Sequence, residues 1–189
     1  MTPETSQFEC DLPVFYATTE GQTRRIAERM AGVISQAGLV SRAIDVSAPE
    51  AECIDWAHVR GAAVGASLHL QRHQHAADAF VTRHADRLNA HPSLFFSVSL
   101  SAASQHDEEV RAARAIAAAF PPAHGWRPSV IATIAGALAY TRYGFLKRWI
   151  MKRIARKEGA PTDTSRDYEL TNWMKVEELA RQLSQTAAA

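Results

Sequence analysis

The apolar positions of this chain follow two rhythms that take turns. Short apolar runs fall at 12–17, 39–46, 59–65, 93–100 and 129–134, and each is the length of a buried strand. The third ends in small residues up to Gly65, which would let a planar ligand approach the backbone closely. Between them lie longer stretches with helical spacing. In 22–37, Ile26, Met30, Val33, Ile34 and Ala37 share one face, and Gly38 supplies a stop. A second helix is predicted over 74–88, with Phe80, Val81, Ala85 and Leu88 inward. An alanine-rich third covers 107–120, ended by Pro121 and Pro122, and a last helix covers about 171–185. Strands alternating with helices predict an α/β fold, a parallel sheet covered on both faces. Five such strands fit the doubly wound order 2-1-3-4-5, which places ligands beyond the carboxyl ends of strands one and three. The loops that converge there are 18–23, 66–73 and 99–106. Residues 1–11 read as a flexible leader and 12–189 as a single domain.

The first strand runs straight into Thr18-Thr19-Glu20-Gly21-Gln22-Thr23 and then into a helix. The first amides of a helix lack partners within it and lie at the positive end of its dipole, so a phosphate can take them as donors. Thr18, Thr19 and Thr23 add hydroxyls, and Gly21 lets the backbone close around the oxygens. There is no G-x-x-x-x-G-K-[ST], no G-x-G-x-x-G and no lysine in the loop, so triphosphate and dinucleotide loops are excluded. A monophosphate held by amides and hydroxyls remains, beside the plainer reading of a threonine-capped turn.

Composition narrows the class. The chain has 189 residues, 47% of them hydrophobic, with a formal net charge of +1, which fits one globular core without a strongly charged overall surface. Cys10 and Cys53 stand apart with no metal or disulfide spacing, as expected in a reducing compartment. The start of the chain is unlike a signal peptide, and no run reaches the roughly 18 apolar residues of a membrane span. The expected location is cytoplasmic.

Several motifs taken together resemble one family. They are 17–24, Gly65-Ala66-Ser67, Phe96-Ser97-Val98-Ser99-Leu100, Trp126-Arg127-Pro128, Ile134-Ala135-Gly136-Ala137-Leu138 and Thr162-Asp163-Thr164. The first resembles the phosphate loop of flavodoxins, the standard example of the 2-1-3-4-5 order. The whole set resembles the bacterial flavodoxin-type protoporphyrinogen IX dehydrogenases, from about residue 13 to the last helix. The resemblance implies an FMN oxidoreductase of haem biosynthesis that oxidises protoporphyrinogen IX and passes electrons to a membrane quinone. The competing reading is a flavodoxin-like FMN electron carrier or binding module without its own substrate. Such carriers are usually acidic, and this chain is not.

The resemblance also implies site residues. Thr18, Thr19, Glu20, Gly21, Gln22 and Thr23 would hold the FMN phosphate, with the Glu20 side chain turned away from it. Ala66, Ser67, Leu68 and His69 would meet one side of the flavin, and Ser97, Val98, Ser99, Leu100 and Ser101 the other. Ordinary flavodoxins often stack aromatic side chains on the ring; here Leu68, His69 and Leu70 stand instead, which fits an open flavin face.

His69, His73 and His75 surround Arg72, but no carboxylate or cysteine is placed to complete a metal set. Arg72 and His73 are instead candidates for the propionates of the substrate, set against a solvated helix start. No catalytic base can be singled out. A basic segment over 144–157 carries Lys147, Arg148, Trp149, Lys152 and Arg153, with Phe145, Trp149, Ile150 and Ile154 able to share an apolar side. Such a helix reads as an anchor on an anionic membrane surface, the cytoplasmic face of the inner membrane, close to the quinone; an ordinary packed helix is the alternative. No nucleic-acid recognition pattern is present, so no nucleic-acid partner is expected.

Overall fold

The computed structural model describes residues 8–138, 140–142, 149, 152–156 and 159–189. In chain order the elements are β1 (Val14–Ala17), α1 (Gln22–Gln36), β2 (Ala43–Asp45), β3 (Ala62–His69), β4 (Arg72–His73), α2 (His75–Asn89), β5 (Ser93–Ser99), α3 (Asp107–Ala123), β6 (Val130–Ala135), β7 (Ala137–Leu138), β8 (Tyr168–Glu169) and α4 (Trp173–Ala188). The main sheet runs β2-β1-β3-β5-β6, all parallel, which is the predicted doubly wound order once the short β4 is set aside.

Alternation along each strand divides the core in two. Val14 and Tyr16 of β1, with Leu94, Phe96 and Val98 of β5, meet Ile26, Met30 and Ile34 of α1 and Val176, Leu179 and Leu183 of α4. Phe15 and Phe95 point the other way, onto Phe80, Val81 and Leu88 of α2 and Ala117 and Phe120 of α3. Strand side chains alternate between faces, and both faces here are covered, so the strands read as nearly continuous apolar runs.

Three sequence expectations need correction. Residues 8–11 do not belong to a flexible leader: Phe8 bridges to Ile54, its N–H donates to the Cys53 carbonyl at 3.0 Å, and Cys10 is fully buried. The prolines do not end α3. Pro121 and Pro122 lie inside its last turn, where the fixed φ of proline is still helical, and the chain turns away at Gly125, whose φ is 74°. The third strand runs on to His69, so most of the expected His-rich loop is a hairpin in which Leu68 pairs with His73 and His69 with Arg72.

The small residues of β3 also serve a different purpose from the one expected. A Cβ on Gly65 would lie 2.1 Å from the ring of Phe96, its neighbour on β5, so this glycine makes room for a core ring and not for a ligand. Gly65→Ala should therefore destabilise the protein by about 1–3 kcal/mol, read as a lower urea midpoint, because the fully buried ring has to move. An unchanged midpoint would show that the sheet absorbs the methyl group.

Candidate functional site

At the carboxyl edge of the sheet the chain leaves β1, turns at Gly21 and enters α1. Gly21 has φ 89°, a left-handed backbone that suits glycine, and its N–H donates to Thr18 Oγ1 at 2.9 Å. The turn is thus held from inside. The start of α1 is left open: it has no side-chain cap and no acidic residue in its first turn. Beside it, Thr23 is fully buried and its Oγ1 has no hydrogen-bond partner. An unpaired buried hydroxyl costs roughly 1–3 kcal/mol. Open helix amides and an orphaned hydroxyl facing one cavity fit an anionic oxygen group.

The cavity has a volume of about 320 Å³. Thr18, Glu20, Gln22 and Thr23 line its polar end, with Ser67, Ser99 and Ser101. Leu68 and Leu70 of the hairpin, Val98, Leu100, Ala137, Ile154 and the Ala112, Ala113 and Ile116 stripe of α3 line its apolar part. The loop after β5 is kept in shape by the Ser99 hydroxyl, which accepts from Ala102 N–H at 3.2 Å, while the Ser99 carbonyl accepts from Gly136 N–H at 3.1 Å.

Eleven of the fifteen expected cofactor contacts fall at the cavity. Thr18, Glu20, Gln22, Thr23, Ser67, Leu68, His69, Val98, Ser99, Leu100 and Ser101 all line the cavity. Gly21 shapes the turn beneath it. The Gln22 side chain is engaged elsewhere: its Nε2 donates to Glu169 Oε1 and Thr171 Oγ1, each at 2.8 Å, so its backbone is what it offers a ligand. Thr19 is exposed and lies outside the lining; its Oγ1 accepts from Gln74 Nε2 at 3.2 Å. Ala66 is buried within the face packed on α2 and α3, and Ser97 is a partner of His73, so neither lines the cavity.

The two propionate candidates also fall outside the lining. Arg72 is exposed on β4. His73 turns inward: its Nε2 lies 3.0 Å from Ser97 Oγ in a hydrogen bond, and its ring packs against Phe120 at 4.6 Å and Phe95 at 5.4 Å between centroids. Burial, and then the charge of His124, push its pKa down to about 4. A neutral imidazole in an aromatic box anchors the hairpin and is a poor carboxylate ligand.

Of the basic segment, Lys147 and Arg148 lie outside the described residues. Trp149 is 53% exposed, with the Arg153 guanidinium 5.2 Å from its ring centre, and residues 152–156 are helical. Ala155 is fully buried beside Leu138 and Tyr140, and Ile154 faces the cavity. Ile154 therefore does not sit on an outward apolar stripe; this end of the segment forms cavity wall. The contributions of Gln71, Glu109, Ala112, Ala113, Ile116, Gly136, Ala137 and Ile154 were not legible as site residues. Only Gly136 and Ala137, inside a recognisable motif, carried a signal.

The Flavodoxin domain family model matches residues 13–165. Protoporphyrinogen IX dehydrogenase (quinone) of Escherichia coli strain K12 is 33% identical over 171 residues, 90% of this chain and 93% of that protein. The protein of the same name from Leishmania major is 29% identical over 167 residues, 88% of this chain and 71% of its own length. Among solved structures, oxidised flavodoxin 1 from Bacillus cereus superposes with a TM-score of 0.54 at 14% identity, covering 92% of this chain and 97% of that one. Rubredoxin oxygen:oxidoreductase from Desulfovibrio gigas gives 0.56 at 10% identity, covering 98% of this chain and 37% of its own. The two structures share the fold.

The environment of His73 generates a pH prediction. A histidine neutral in the folded state but titrating near 6.5 when unfolded gives stability that is present above pH 6.5 and lost as pH falls towards 4. Between those limits the wild type should lose about 2–3 kcal/mol more than His73→Phe, whose ring fits the same box. Parallel stability curves from urea titrations at several pH values would show that His73 takes up its proton without opening the hairpin base.

Proposed function

We propose an activity for this chain from the premise that it belongs to the flavodoxin domain family. The chain oxidises protoporphyrinogen IX to protoporphyrin IX, with FMN as its cofactor and a membrane quinone as the final acceptor. Supporting this are the relatives that bear the name protoporphyrinogen IX dehydrogenase (quinone) and match nearly the whole chain. The structural observation that carries the cofactor assignment is the orphaned Thr23 hydroxyl at the open start of α1. A phosphate there would accept from Thr23, Thr18 and the helix amides, and such charge-assisted bonds are about twice as strong as neutral ones.

When bound, FMN supplies the two-electron redox chemistry, and the product requires that step three times because the macrocycle loses six electrons. The residues of this chain bind and orient. Ser67, Leu68 and His69 from β3, and Val98, Ser99, Leu100 and Ser101 from the end of β5 and the loop after it, line the cavity and would border the flavin. Leu100, Ala137 and Ile154 exclude water from its apolar part. Thr171 ties the far segment to the sheet by donating to the Ala135 carbonyl at 2.7 Å, and Gln22 ties the phosphate loop to Thr171.

Access to a lipid-soluble quinone calls for a membrane surface. No helix among the described residues is long and apolar enough to cross a membrane. The half-exposed Trp149 with Lys152, Arg153 and Arg156 supports peripheral binding to an anionic surface, on the cytoplasmic face of the inner membrane.

The test is anaerobic turnover. FMN-loaded protein mixed with protoporphyrinogen IX should release porphyrin fluorescence that depends on added quinone and exceeds the protein-free rate. A bound, reducible flavin with no quinone-dependent fluorescence would replace the dehydrogenase by an electron carrier.

A further inference from the structure

The tip of the β3–β4 hairpin does not suit its turn. Two residues, Leu70 and Gln71, join the strands, and both have left-handed backbones, with φ 48° and 63°. Two-residue hairpin turns of this kind favour Asn-Gly or Asp-Gly, because side chains other than those of Asn and Asp resist positive φ. Leucine is a poor choice for the turn itself. It is also a poor choice for a surface, since Leu70 is 92% exposed, the most exposed large apolar side chain among the described residues.

The base of the same hairpin is firmly held. His73 is boxed by Phe95 and Phe120 and bonded to Ser97, and Gln74 Nε2 donates to Ser67 Oγ. Exposure rises steadily towards the tip, from buried Ser67 through half-buried Leu68 to exposed His69 and Leu70. The tip lines the cavity at its mouth, together with Ala112 and Ile116 of α3. A rigid base thus carries one apolar side chain to the rim. A flavin held by its phosphate at Thr18 and Thr23 would take the end of the cavity next to α1, which would leave the rim to the molecule that arrives afterwards.

We propose that Leu70 is a specificity-determining contact for the substrate, laid against the apolar face of the flat tetrapyrrole as it enters the cavity. This rests on the activity proposed above. The flexed turn places the side chain where burial occurs only in the complex, so its hydrophobic contribution goes into substrate binding and not into folding.

Leu70→Asn separates this role from a structural one. Asparagine accepts the left-handed backbone more readily, so the hairpin keeps its shape and thermal stability does not fall. The FMN-loaded variant is titrated with protoporphyrin IX, the stable fluorescent product, and assayed with protoporphyrinogen IX. The dissociation constant and KM should each rise about tenfold, part of what burying a leucine is worth, with kcat at saturation, FMN affinity and quinone KM unchanged. Leu70→Met should restore binding. Unchanged porphyrin affinity in Leu70→Asn would overturn the proposal, as would loosened FMN or a raised quinone KM, which would place Leu70 against those molecules. A wild type that fails to bind porphyrin overturns it too. Porphyrin binding that depends on Leu70 without any quinone-dependent turnover would instead remove the dehydrogenase reading and leave the contact standing.

Discussion

An unfinished helix start governs this site. The first amides of α1 have no acceptors of their own, no side chain caps them, and the Thr23 hydroxyl beside them is buried without a partner. In a folded protein such groups are unfavourable unless something else satisfies them. The sheet order explains why they gather at a cavity. β1 lies between β2 and β3, so α1 crosses one face of the sheet while α2, leaving the β3–β4 hairpin, crosses the other. The loops that follow β1 and β3 part there and leave a crevice at the strand ends. Residues after β5 close its side through Ser99, Leu100 and Ser101.

The remaining walls come from segments far away in sequence. Gln22 reaches from the start of α1 to Glu169 and Thr171, and Arg25 Nη1 pairs with Glu169 Oε2 at 2.9 Å. The two-stranded β7–β8 ribbon, with Leu138, Tyr140 and Ala155 as its own small core, covers the edge next to Gly136. Hydrogen bonds and an ion pair thereby join the start of α1 to the segment at Glu169 and Thr171. Gln22 of that turn is bonded to Glu169 of the ribbon, and Ala137 of the ribbon lines the cavity along with Ile154.

Periodicity carried the fold well because each strand is buried on both faces and each helix on one. The runs at 12–17 and 93–100 could only be interior strands, and the α1 stripe of Ile26, Met30 and Ile34 had one possible direction. The turn from β1 into α1 was legible for a related reason, since it is local: strand, hydroxyls, glycine and helix lie within a dozen residues. What escaped was set by tertiary partners. Gly65 looked like a place for a ligand because the sequence does not reveal that Phe96 lies across it. His73 looked like a surface ligand because its box is made by Phe95 and Phe120, more than twenty residues away. Ala112 and Ile116 are ordinary helix residues until the hairpin is laid beside them, and Ile154 looked outward because amphipathicity does not say which side faces a cavity.

The central claim is that the open start of α1 takes the phosphate of a flavin whose ring lies in the crevice. Its most direct test compares FMN with riboflavin, identical but for the phosphate, in titrations of flavin-free protein followed by flavin fluorescence. Two or more charge-assisted hydrogen bonds predict FMN binding at least about a hundredfold tighter, with most of that margin lost when Thr18 and Thr23 are both replaced by valine. Equal affinity for FMN and riboflavin would contradict the account, because the unsatisfied amides and the buried Thr23 hydroxyl would then be doing something other than holding a phosphate.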